Sequence, residues 1–597
     1  MFTKPNLLFI NGIEEIIEED LGLSAARALH QQEERQRLQV QRIYDGYTFT
    51  SDNYLAALNS DLVHAFTPPV TVFTVPRFAE DLNLELVVRN FFETQFTHRF
   101  QQHVLSHAPV DLATIAYRWE ILDELSEQEN LIGVLRDLGL QLVTVYKQSL
   151  ERHNVVDTLQ GLEFSLLSAT VTKELLKTEH AILKGYIEAI KAMHKAFEHA
   201  TSRGLQQLRI YAERIMETEE FKALDEMMQR YDNAQYVELG IVSNAIGEIQ
   251  KVHYFGQGKN NLPRGLLAEM HPTRVMENMA IQRLEKANFN ALLVRAFEGF
   301  ITEMEKQIMA TVYLVGDFEF YTGAMNYRKV LERSGLPITR PTLHPALTRT
   351  HTIQEAYSLL IPSSWHESTC HEPEFWIYKE RVVPNGFVSN PDHNQFLLTG
   401  ANNGGKTRYT TTIGLCIDLG QSGLWVAAEN AEYSLVDNIF THFVSGDDAE
   451  NSCGRWVGEI ERVKAELQMM TPYSISLIDD FGSGTNYLEA RGPALTVLYA
   501  HYRLGATLIM NTHLHQLAED AERGIFPGLS NWKMEIGEGL QYTYKVIPGR
   551  AETSHAADIA TLHGLSTQAV DAMILTRTAQ RELSPALVRP AFDLQIT

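Results

Sequence analysis

Gln395-Phe-Leu-Leu-Thr-Gly-Ala-Asn-Asn-Gly-Gly-Lys-Thr407 decides the fold of the C-terminal half. Gln395 to Thr399 is a short apolar run of the kind that forms a buried strand. Gly400 to Thr407 follows it and fits the pattern G-x-x-x-x-G-K-[ST], and a helical segment begins near Arg408. Strand, glycine-rich turn and helix in this order make an anion cradle. The glycines let the backbone curl with its N–H groups pointing inward, and the helix adds the positive end of its dipole. In such a cradle Lys406 supplies a charge to the β- and γ-phosphates of a nucleotide, and the Thr407 hydroxyl holds Mg²⁺. ATP and Mg²⁺ are therefore the expected cofactors.

Two more strands belong with the first. Ser474-Ile-Ser-Leu-Ile478 runs into the paired carboxylates Asp479 and Asp480, and Ala506-Thr-Leu-Ile-Met510 runs into Asn511-Thr-His513. Short apolar strands alternating with helices from about Phe387 onward predict an α/β domain with a largely parallel sheet. Asp479 is placed to hold Mg²⁺ from the strand end, Asp480 to orient or deprotonate water, and His513 to sense the γ-phosphate. A lone pair of acids, or a lone His, at a strand end is ordinarily a surface feature. Their company in one domain favours the functional reading.

The rest of the 597 residues reads differently. Residues 1–139 predict helices and loops, with candidates over Leu23 to Tyr44 and Ala113 to Leu138. Residues 140–334 predict long helices over Thr172 to His199 and Arg203 to Arg230, with a turn-rich tip at Tyr254 to Pro263. Residues 335–385 look irregular, and 386–597 form the α/β domain. The expected fold class is thus multidomain: a mainly α-helical N-terminal half, then an α/β phosphate-loop domain. Three cysteines, Cys370, Cys416 and Cys453, make no disulfide framework. No run reaches the roughly 18 apolar residues of a membrane span. A cytoplasmic protein is expected. Trp365-His-Glu-Ser-Thr-Cys-His-Glu372 carries metal-capable side chains, but no second ligand pair completes a zinc set.

The order of these motifs resembles the ATPase domain of the MutS family, the DNA mismatch-repair and related clamp ATPases, over about Phe387 to Ser566. Phe387-Val-Ser-Asn390 is similar to the family segment near the adenine. Gly400-Ala-Asn-Asn-Gly-Gly-Lys-Thr407 is similar to its Gly-Pro-Asn-Met-Gly-Gly-Lys-Ser loop. Asp479-Asp-Phe-Gly-Ser-Gly-Thr485 is similar to its Asp-Glu-Ile-Gly-Arg-Gly-Thr. Thr512 and His513 fall where the family carries Ala-Thr-His. The resemblance implies an ABC-class ATPase, helical core and lever arms ahead of it, and a homodimer through the C-terminal half with helices around Ala569 to Arg581. In it ATP is sandwiched between one subunit's loop, Gly400, Ala401, Asn402, Asn403, Gly404, Gly405, Lys406, Thr407 and Arg408, and the partner's signature segment. Here that segment aligns with Asp447 to Trp456, which puts Gly454 at the family's Ser and leaves Ser452, Gly454 and Arg455 as the contacts. Asp480 replaces the family's Glu and is one methylene shorter, which points to slow hydrolysis. Phe78-Ala-Glu80 and Phe91-Phe-Glu93 are too short to mark a mismatch-reading loop, and no mismatch-reading domain is expected.

The net charge of −24 excludes a generally basic nucleic-acid binder. Yet residues 141–310 hold 20 Lys and Arg against 22 Asp and Glu, far closer to neutral than the remainder. Lys184, Lys191, Lys195, Arg203, Arg209 and Arg214 form a candidate edge for the phosphates of double-stranded or branched DNA. A solvated helix face is the competing reading. Two functions stay open: a dimeric ATPase coupled to DNA, in repair or recombination, and an ATP-switched interaction module with weak or no hydrolysis and no DNA. A transporter ATPase is a distant third.

Overall fold

The computed structural model describes residues 5–10, 54–66, 73, 77–158, 169–233, 236–243, 249–258, 275–360, 382–443, 455–482, 485–538, 541–552, 561, 563–564 and 566–580. The chain divides into two compact units: 1–71 with 85–330, and 72–84 with 331–597.

The first unit is built from helices: α1 (Tyr54–Ala65), α2 (His98–Leu105), α3 (Leu112–Glu127), α4 (Asn130–Thr158), α5 (Ala169–Ala196), α6 (Arg203–Glu217), α7 (Glu219–Asn233), α8 (Val275–Val312) and α9 (Leu314–Arg333). Apolar residues three and four apart give α4 and α5 a shared seam, with Leu142, Val145 and Tyr146 on one and Ile182, Tyr186, Ile190 and Met193 on the other all buried. Gly185 permits the close approach, since a Cβ there would lie 2.8 Å from the Val145 side chain. The helix expected over Ala113 to Leu138 is two helices, because α3 stops at Gln128 before α4 starts. Arg203 to Arg230 also divides. Thr218 takes an extended conformation and its hydroxyl accepts from the Phe221 N–H at 3.2 Å, capping a new helix at the acidic pair Glu219-Glu220. Part of the expected turn at Tyr254 to Pro263 is strand. Tyr236–Ser243 (β1) and Ile249–Gly258 (β2) pair antiparallel, and 259–263 lie outside the described residues. The candidate helix over Leu23 to Tyr44 lies outside them as well.

The second unit holds the strands and helices that follow: β3 (Thr342–His344), β4 (His351–Ala356), β5 (Asn385–Ser389), β6 (Gln395–Thr399), α10 (Lys406–Gln421), β7 (Asn430–Ser434), β8 (Ile439–His442), α11 (Arg455–Met469), β9 (Ile475–Asp479), α12 (Tyr487–Leu504), β10 (Thr507–Asn511), α13 (His515–Glu522), β11 (Leu529–Ile536), β12 (Tyr542–Pro548) and α14 (Thr567–Ala579). Residues 335–385, read as irregular, thus supply β3, β4 and the first residue of β5. The main sheet runs β12-β11-β6-β10-β9-β8, parallel except for edge strand β12. A smaller mixed sheet runs β3-β7-β4-β5. Every residue of β6 and β10 is buried, as strands covered on both faces require. Leu397, Ile478, Leu508 and Met510 pack against Ala490, Ala494 and Leu498 of α12 and Leu517 of α13. Helix α10 lies against β9 and β10, and Gly414 brings it close: a Cβ there would sit 2.7 Å from Leu477 and 2.9 Å from Leu82. Leu82 belongs to the short segment 72–84, whose buried Phe78, Leu82 and Leu84 are part of this unit.

Candidate functional site

Parallel register brings three strand ends together. Asn511 of β10 stands opposite both Leu398 of β6 and Asp479 of β9, so the loops leaving these strands open on one edge of the sheet. That edge, at the carboxyl ends where chain order crosses over, is where open α/β sheets bind ligands. A cleft of about 690 Å³ lies there, lined by residues 401–409, Asp479, Asp480, His513 and Tyr544.

The loop is shaped by its backbone. Gly400, Asn403 and Gly405 have φ of +147°, +63° and +99°. Gly405 ends the loop as the N-cap of α10, and a Cβ there would lie 3.2 Å from the Tyr544 ring. A side chain at Gly405 would therefore be both strained and crowded. Lys406 turns back over the loop and donates to the Gly400 and Ala401 carbonyls at 2.9 and 3.1 Å. Burial lowers the pKa of its ammonium, and the carboxylates of Asp479 and Asp480 oppose that shift.

The Thr407 hydroxyl donates to Asp479 Oδ2 at 2.7 Å. Two hard oxygen donors thus meet beside the phosphate cradle, which fits Mg²⁺, an ion held by one or two protein oxygens with phosphate and water completing its shell. No group of three or more His, Cys, Asp or Glu forms a metal set among the described residues. Asp480 has a left-handed backbone, φ +54°, and its N–H donates to the Asn511 carbonyl at 3.1 Å. This turn aims Asp480 at the cleft wall that it shares with His513. Burial and then the Lys406 charge pull the His513 pKa down, and the Asp480 carboxylate opposes them.

Two expected contacts are redirected. Phe387 is fully buried and packs edge-on against Phe396 and Trp532, with centroids 5.4 and 6.1 Å away. Its ring is on the core face of β5, which leaves it no access to a base. Asn390 closes a turn, its side-chain oxygen accepting from the Asp392 and His393 N–H groups at 2.9 and 3.0 Å. Asn385 and Tyr544 line the cleft instead. Asn385 donates to the Tyr544 carbonyl at 3.0 Å and accepts from the Val546 N–H at 2.8 Å, pinning Tyr544 at φ +58° within β12. No motif in the sequence flags Tyr544. Ser452 and Gly454 lie outside the described residues, Arg455 opens α11, and the cluster Trp365 to Glu372 also lies outside them. Of the candidate DNA contacts, four are paired with carboxylates: Lys184 with Asp232, Lys191 with Asp225, Arg203 with Glu120 and Arg209 with Glu213. Lys195 and Arg214 lie on α5 and α6.

Residues 396–580 match the family model for MutS domain V. The DNA mismatch repair protein MutS of Symbiobacterium thermophilum is 31% identical over 194 residues, 32% of this chain and 22% of that protein. The protein of the same name from Desulfitobacterium hafniense is 32% identical over 189 residues, 31% of this chain and 22% of its own. That of Chlorobium limicola is 28% identical over 195 residues, with 32% and 22% covered. The chain therefore spans about a fifth of the length of these relatives. No described helix is long and apolar enough to cross a membrane. Sheet order, loop geometry and these matches agree on one segment, and over residues 396–580 the chain is similar to domain V of the MutS family.

Proposed function

We propose that the chain binds and hydrolyses ATP as a dimer, with hydrolysis coupled to DNA binding and without direct mismatch reading. The observation that carries this reading is the convergence of Lys406, Thr407, Asp479, Asp480 and His513 on one cleft.

Lys406 exchanges its two loop carbonyls for the β- and γ-phosphates, and the loop N–H groups hold the remaining phosphate oxygens. Thr407 and Asp479 hold Mg²⁺, which when bound neutralises charge on those phosphates. Asp480 orients the attacking water and takes its proton as ADP leaves. His513 donates to the γ-phosphate. Tyr544 offers its ring to the base. Helix α14 has no buried residue, and Met573 and Leu575 are 52% and 69% exposed, which suits it to contact a second copy. Ser452, Gly454 and Arg455 of that copy would face the γ-phosphate.

Phosphate release from Mg-ATP by the purified chain tests the reading, with Lys406→Ala as the control. Turnover in the wild type and its loss in the variant are expected; equal turnover in both rejects the site. The second reading, an ATP-switched interaction module without DNA, is favoured by the four ion pairs that occupy Lys184, Lys191, Arg203 and Arg209. DNA titration at low salt, with and without ATP, separates the two, since phosphate contacts are strongest there.

A further inference from the structure

Asn511 ends β10 fully buried, and its side chain joins two parts of the nucleotide site. Its Nδ2 donates to Asp479 Oδ1 at 2.7 Å. Its Oδ1 accepts from the Thr410 hydroxyl, itself buried in the first turns of α10, at 2.9 Å. Asp479 Oδ2 accepts from Thr407 on the same helix at 2.7 Å. The bonds close a ring: α10 to β10 through Thr410 and Asn511, β10 to β9 through Asn511 and Asp479, and β9 back to α10 through Thr407. The amide can face only one way, because a flipped Asn511 would set its oxygen against a carboxylate. Where the family motif reads Ala-Thr-His, residues 511–513 read Asn-Thr-His, and an Ala methyl could make neither bond.

We propose that Asn511 is a positioning residue that fixes the Asp479 carboxylate for Mg²⁺ and ties its angle to α10 through Thr410. The inference rests on the nucleotide reading above. A carboxylate turns freely about its last torsion unless a partner holds it. With Oδ1 taken by the amide, Oδ2 is left facing Thr407, where the ion is to be held. Partners behind a metal ligand commonly contribute ten- to a hundredfold in metal affinity. The bond from the Asp480 N–H goes to the backbone carbonyl of Asn511, so the side chain can be removed without releasing Asp480.

The test is a binding titration: a fluorescent ATP analogue held at fixed concentration while Mg²⁺ is raised, with melting temperature measured in parallel. Asn511→Ala is expected to move the Mg²⁺ midpoint up about tenfold, while affinity for the analogue without Mg²⁺ stays at the wild-type value. Thr410→Val, which removes only the hydroxyl, is expected to move the midpoint in the same direction by a smaller factor. In the Asn511→Ala background it should add nothing, because Thr410 acts through Asn511. A folded Asn511→Ala protein with an unchanged midpoint overturns the proposal. So does a Thr410→Val shift that persists at full size without Asn511. Should Asn511→Ala fail to fold, Thr410→Val alone decides, and an unmoved midpoint rejects the relay. A wild-type chain that binds no nucleotide overturns the nucleotide reading itself, whereas a wild type that binds with a Mg²⁺ dependence the variants share overturns only the role of Asn511.

Discussion

At Lys406 the ammonium already has two partners, the Gly400 and Ala401 carbonyls, and burial makes it easier to discharge than an exposed lysine. Phosphates offer it a stronger, charge-assisted exchange. Removing the side chain by Lys406→Ala should therefore lower turnover by at least about a hundredfold, since it deletes charge stabilisation where charge develops. Asp480→Asn should separate binding from chemistry. Asn tolerates the left-handed backbone at φ +54° but accepts no proton, so nucleotide binding should persist while hydrolysis falls about a hundredfold or more. A rapid-quench assay beside a binding titration checks both, and retained hydrolysis would remove Asp480 from its assigned role. The meeting of Lys406, Thr407 and Asp479 on one cleft was legible in the sequence because each lies on a strand end or the turn after it. Tyr544 was not, because its place depends on β12 pairing beside the loop and on Asn385 holding its backbone. Phe387 was misread for the converse reason: an aromatic residue before a phosphate loop looks the same whether it faces a base or the core.

Among the elements, segment 77–84 is held to the second unit partly by charge. Asp81 accepts from Thr441 at 2.6 Å, and Glu466 of α11 is buried with Arg462, Arg77 and Asp81 acting on it. Burial pushes the Glu466 carboxyl up to about 8, against an ordinary value of 4.5. A raised carboxyl pKa means that the folded state holds a proton the unfolded chain has released. Stability is thus greatest below about pH 4.5 for this group and declines as pH rises toward 8. Glu466→Gln should flatten that decline, measurable as urea unfolding at pH 6 and pH 8; an unchanged pH slope would count against the buried acid. Gly482 makes a second element-scale case. Its φ is +87°, a Cβ would meet that of Ala490 at 2.6 Å, and its N–H donates to Glu459 of α11 at 3.0 Å. Gly482→Ala should cost about 1–3 kcal/mol by thermal melting, through backbone strain and overpacking next to Asp480. The strands β6, β9 and β10 stood out in the sequence by their apolar runs. The break at Thr218 and the β1–β2 pair did not, because a helix-rich neighbourhood masks one capping threonine and two short β-prone runs.

For the whole molecule, charge and assembly decide what the proposed ATP site would serve. The paired cations on α5 and α6 offer DNA less free charge than their number suggests, since each phosphate must first displace a carboxylate. Lys184→Ala and Lys191→Ala should consequently change low-salt DNA affinity by less than a factor of about three each, read by fluorescence anisotropy. A tenfold loss from either would make that edge the phosphate contact after all. Exposed α14 leads to a further expectation, that Mg-ATP raises the dimer fraction in sedimentation velocity and Leu575→Lys lowers it. The nucleotide site itself underlies all of this, and calorimetric titration of the intact chain with Mg-ATP tests it most directly. Saturable binding near one nucleotide per chain, lost or weakened at least tenfold in Lys406→Ala, is the expected result; no heat of binding in the wild type, or identical binding in the variant, would contradict it.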